Sequence, residues 1–91
     1  ERLTMPYIKQ EMRDQLKNEP IVPSNEGEMN FVITDLLDDY LSAYGLNYAN
    51  VNALVGVLEC AKLELYRRIA APYEDIKIQE NGDVYTDNMR Q

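Results

Sequence analysis

The chain contains no histidine and no tryptophan, and only one cysteine and one phenylalanine. Without histidine, Ser-His and Cys-His nucleophile pairs and the common zinc sites cannot be assembled. A lone Cys60 rules out an intramolecular disulfide, and its place on an apolar helical face reads as a buried structural thiol. Cations are also scarce. Nine Lys and Arg stand against sixteen Asp and Glu, for a net charge of −7. General nucleic-acid binding needs clustered cations to replace counterions, so DNA is not an expected partner. No apolar run approaches the roughly 18 residues of a membrane-spanning helix, and residues 1–15 lack the apolar core of a signal peptide. A cytoplasmic, non-membrane protein is therefore expected.

What the sequence does have is helical periodicity. At 45% hydrophobic residues, the 91-residue chain is expected to form one small domain over 5–85, with 1–4 and 86–91 as flexible ends. The central stretch is 50–71, NVNALVGVLECAKLELYRRIAA. At 100° per residue, Val51, Leu54, Val55, Leu58, Ala61, Leu65, Tyr66 and Ile69 share one continuous face. A second, narrower strip runs through Ala53, Gly56, Val57 and Cys60. Asn50 fits an N-cap, and Pro72 is expected to end the regular run.

Upstream, Met29, Val32, Ile33, Leu36, Leu37, Tyr40, Leu41 and Tyr44 make a core stripe on a helix over 26–44, with Gly45 as the left-handed residue that ends it. Glu26, Glu28, Asp35, Asp38 and Asp39 give that segment five acids and no Lys or Arg. The connector over 46–49 is short enough to turn the two long helices antiparallel. That geometry would bring Glu26 and Glu28 towards Arg67 and Arg68. Ile8, Met12 and Leu16 mark a shorter helix ahead of a Pro- and Asn-containing connector. Residues 76–86 read either as a last short helix or as a hairpin across Asn81-Gly82, with the helix favoured because the hairpin opposes Glu80 with Asp83. The fold class expected is all-α: an antiparallel helical hairpin with a short N-terminal helix and a short C-terminal helix or turn, oligomerising.

Three groups of residues could carry function. Arg67 and Arg68, with Tyr66 and Tyr73 nearby, could hold a phosphate-bearing ligand such as a cyclic nucleotide. The plainer alternative is an ion pair with the acids of the second helix. All-α nucleotide pyrophosphohydrolases hold magnesium with paired acids on two helices. Asp35 and Asp38 have the right spacing, but Glu59 and Glu64 point apart, so half of such a site is missing. No metal, cofactor or catalytic residue is assigned. The third group is the small-residue strip Ala53, Gly56, Val57 and Cys60, which would let a second copy approach closely; a homodimer or larger assembly is expected.

Three segments, MPYIKQE at 5–11, GEMNFVITDLL at 27–37 and GVLECAKLELYRRIAAPYEDIKIQENGDVY at 56–85, resemble a family of short phage and bacterial proteins without an assigned function. The resemblance implies a phage or mobile-element origin and an intracellular place of action; besides a second copy of the chain, a host protein is considered as partner. It transfers no site residues. In outline the expected architecture is also similar to small phage sponge proteins that sequester cyclic nucleotides, although no motif is shared. The reading that results is a non-catalytic helical oligomer acting by protein interaction. A phosphate-ligand binder is the alternative, and a carboxylate-metal hydrolase comes third.

Overall fold

The computed structural model describes residues 7–18 and 22–86. The expectations for 1–4 and 87–91 lie outside them. The described residues form helices α1 (Gln10–Leu16), α2 (Glu26–Tyr44), α3 (Tyr48–Leu65) and α4 (Ala71–Asn81), with a π-helical turn at Tyr66–Ala70 between the last two. No strand occurs among them, so the protein is all-α and the 76–86 hairpin is excluded. The chain divides into two compact units, Glu1–Leu58 and Glu59–Gln91.

In the first unit, α2 occupies the expected 26–44, and local chemistry sets its ends. Asn25 is extended, and its side-chain oxygen accepts from the Glu28 amide at 2.9 Å. The Glu28 carboxylate in turn accepts from the Ser24 amide at 2.8 Å. This is a capping box whose return bond is moved out by one residue: it satisfies the Glu28 amide that the first helical turn leaves open and the Ser24 amide just ahead of the cap. At the other end, Gly45 adopts φ 114°, a value that side-chain-bearing residues rarely reach, and its amide donates to Leu41 O at 2.7 Å.

The start of α3 corrects the expectation for Asn50. The cap lies three residues earlier, at Asn47, ahead of a helix that begins at Tyr48: the Asn47 Oδ1 accepts from the Asn50 amide at 2.8 Å. Asn50 instead turns its side-chain amide back to the end of α2, donating to Tyr44 O at 3.1 Å and Gly45 O at 2.9 Å. One asparagine caps the incoming helix while the other satisfies carbonyls that the outgoing helix leaves open.

Pro72 does not stop the helix, which continues from Tyr48 to Asn81 without a break. Proline lacks an N–H, and its ring presses on the carbonyl four residues back, which in a regular α-helix is that of Arg68. The backbone answers by widening. The Ala71 amide bonds to Tyr66 O, five residues back, and the π turn accommodates the ring ahead of α4.

The two long helices leave their apolar residues open. Cys60, 5% exposed, is the one buried residue among those described. On α2, only Leu37 and Leu41 of the stripe are half-buried; the rest of it is exposed, from Ile33 at 40% to Tyr44 at 69%. On α3 the wide face is open at Val51, Val55, Leu58 and Leu65 and half-buried at Leu54, while Ala53, Gly56 and Val57 on the narrow strip are half-buried. The physical reason is that a wide apolar face needs a neighbour to cover it, and among the described residues these positions remain open.

Candidate functional site

The residues singled out for ligand binding fall on the π turn and the first turns of α4. Arg67 pairs with Glu64 of its own helix, Nη2 to Oε2 at 3.7 Å, a one-turn neighbour. The Tyr66 hydroxyl donates to Glu74 Oε1 at 2.9 Å, eight residues along the chain. Tyr73 lies on α4, with Lys77 Nζ 5.4 Å from the centre of its ring, a cation–π contact. Lys77 also contacts Glu80 at 3.3 Å. Tyr66 and Tyr73 therefore each have a carboxylate or cation partner within the second unit. Sequence reasoning placed them near Arg67 but did not find these contacts. The Tyr66–Glu74 bond spans the π turn, which no residue pattern announced, whereas Tyr73 and Lys77 are one-turn neighbours on α4.

Among the described residues, Tyr66 is the group whose ionisation is clearly displaced. Its phenol pKa is pushed up, first by the hydrogen bond to Glu74, then by the charge of that carboxylate, with smaller contributions from desolvation, Tyr85 and Asp75. All but desolvation have one electrostatic meaning: a phenolate here would face negative neighbours. Around these residues lies a groove of about 480 Å3, lined by Tyr66, Glu74, Lys77, Ile78 and Asn81 on the helix and by residues 82–85 beyond it.

The carboxylates considered for metal binding cluster on α2. Asp35, Asp38 and Asp39 bring carboxylate oxygens within 4.8 Å of one another, all exposed. Charges packed in this way on one helix face are common where water solvates them. Glu59 pairs with Lys62 Nζ at 3.2 Å, an i, i+3 neighbour on its own helix, and Glu64 pairs with Arg67. Of the interface strip, Ala53, Gly56 and Val57 are half-buried, and Cys60 is buried in the single chain. Its burial fits the structural-thiol reading. Among the described residues, no helix is long and apolar enough to cross a membrane.

No curated protein and no solved structure matches the chain. A model of a protein family, described as a domain of unknown function (DUF6899), matches residues 5–84. That range takes in all three segments on which the resemblance to a family of short proteins rested, up to Val84. The chain belongs to this DUF6899 family.

Proposed function

We propose that the protein is a subunit of a helical homo-oligomer, most simply a dimer, that acts by binding another protein and not by catalysis. The observation that carries this reading is the open stripe of α2. Met29, Val32, Ile33, Leu36, Tyr40 and Tyr44 lie on one helical face, all exposed, with Tyr40 and Tyr44 packed ring against ring at 4.8 Å. A stable chain of this size buries about 60% or more of its unfolded surface, and a lone copy with one buried residue among those described falls far short.

A second copy is the simplest cover, because a two-fold contact sets the same apolar stripe against itself. Acidic flanks at Asp35, Asp38 and Asp39 would remain at the solvated rim. Ala53, Gly56 and Val57 would join this contact, and the antiparallel pairing of the long helices and the single domain over 5–85 belong to the assembled protein. The resemblance to short phage and bacterial proteins supports a phage or mobile-element origin, a place in the host cytoplasm and a host protein as the eventual partner.

Sedimentation equilibrium at about ten micromolar protein tests the assembly, since the stability of an obligate oligomer depends on protomer concentration. A mass at a multiple of 10.5 kDa is expected. A folded species at the single-chain mass would overturn the proposal.

A further inference from the structure

The groove in the second unit has a chemical character of its own. Gly82, at φ 89°, ends α4, with its amide bonded to Ile78 O at 2.8 Å. The chain then turns, and the Tyr85 amide donates to Asp83 Oδ1 at 2.9 Å. After this turn Tyr85 lines the same groove that Tyr66 lines from the helix. Ile78 and Val84 supply apolar wall. Two carboxylates, Glu74 and Asp83, line the groove against one ammonium, Lys77, which is already engaged by Glu80 and by the Tyr73 ring.

A cavity of about 480 Å3 is in the size range of small-ligand sites. Its lining discriminates by charge. An anion would meet Glu74 directly. A cation would meet that carboxylate and two phenol rings, whose faces attract positive charge. The upward displacement of the Tyr66 ionisation, traced to Glu74, Tyr85 and Asp75, reports the same negative field.

We propose that this groove binds an organic cation, an alkylammonium or guanidinium group, against the Tyr66 and Tyr85 rings with Glu74 as its counter-ion. The apolar wall at Ile78 and Val84 would take the alkyl portion. The cation is either a free amine or a basic side chain carried by a protein, and both present the same chemistry to the site.

The test is amide NMR of the intact protein titrated separately with tetramethylammonium chloride and with acetyl-arginine amide, using sodium chloride at matched ionic strength as control. Saturable shifts centred on Tyr66, Glu74, Gly82 and Tyr85 are expected, with a dissociation constant on the order of 1 mM. The arm that binds tighter identifies the source as free amine or protein side chain. Glu74→Gln and Tyr85→Leu should each weaken binding about fivefold or more, at unchanged helix content by circular dichroism. Tyr85 lies beyond the helix and is 66% exposed, so its substitution leaves the helix intact. Equal shifts with sodium, unchanged affinity in both variants, or no saturation by about 100 mM, far beyond any specific site of this kind, would overturn the proposal.

Discussion

The Tyr66 hydroxyl donates a 2.9 Å hydrogen bond to Glu74 across the π turn, tying two residues that a sequence count sets eight apart. The bond needs the neutral phenol. Tyr66 ionises later than a free tyrosine, so the stabilisation is fully present below pH 10, the usual phenol value, and is lost as pH rises through the higher folded value. Ultraviolet titration should show one late-ionising tyrosine. Glu74→Gln should move it back towards the others, since the carboxylate supplies the two largest causes of the displacement. A wild-type titration with every tyrosine ionising together would contradict this account.

Pro72→Ala restores the missing amide and removes the ring that the π turn accommodates. Proline in a helix interior is about 3 kcal/mol less favourable than alanine, so the variant should be more stable than wild type by part of that amount. The helix can then close into regular α geometry, rotating Glu74 away from Tyr66. The late phenol ionisation should disappear together with the gain in melting temperature. Retention of both the wild-type melting point and the late ionisation would show that the π turn has another cause.

Asn25→Ala and Asn47→Ala each remove an N-cap, and each should lower stability by about 1 kcal/mol in urea unfolding. Asn50→Ala leaves the Tyr44 and Gly45 carbonyls without its amide but spares the cap, so a smaller loss is expected, on the order of 0.5 kcal/mol. If Asn50→Ala proved the most damaging of the three, the assignment of the cap to Asn47 would be reversed.

These caps show how much of the fold is legible in the residues. The span of α2 was legible because its apolar stripe runs unbroken between two punctuating residues. Asn25 followed three residues later by Glu28 is a visible start signal, although the connector reading passed over it. At α3 two asparagines compete for one role, and the choice depends on where the backbone of Gly45 points, which composition does not encode. Pro72 was visible, but its effect was not. A proline ends a helix or widens it according to the residues after it, and here Glu74 to Glu80 continue a helical stretch. The Tyr66–Glu74 contact was illegible for the same reason. The burial of Cys60 was anticipated from its apolar neighbours, whereas the openness of the wider face was not, because periodicity identifies a face and says nothing of who covers it.

Leu36→Lys tests the assembly from inside its proposed contact. Burying a leucine side chain contributes about 1.5–3 kcal/mol, and a two-fold contact loses it from both copies, so the dissociation constant should rise about a hundredfold or more. Sedimentation should show the mass falling towards that of one chain at a protein concentration where wild type is assembled, with helix content falling as well. Arg67→Ala, which removes only a surface pair, should leave the mass unchanged and cost roughly 0–1 kcal/mol of stability.

A thermal-shift panel of mono-, di- and cyclic nucleotides addresses the phosphate alternative. No stabilisation is expected at millimolar nucleotide. A site with a dissociation constant a hundredfold below the ligand concentration would stabilise by about 2.7 kcal/mol, an easily visible shift. A shift in wild type that vanishes in the Arg67→Ala/Arg68→Ala double variant would favour the phosphate-binding reading instead.

The π turn at Tyr66–Ala70 also bears on how relatives should be aligned. One residue added to an α-helix is absorbed as one wide turn, and everything beyond it is carried round by about 100°. A relative one residue shorter between 66 and 70 would therefore be a continuous α-helix, not a damaged copy. A single-position gap there would mark members in which the tyrosine and the glutamate no longer meet, so the family can be sorted by the length of this turn before any of its members is purified.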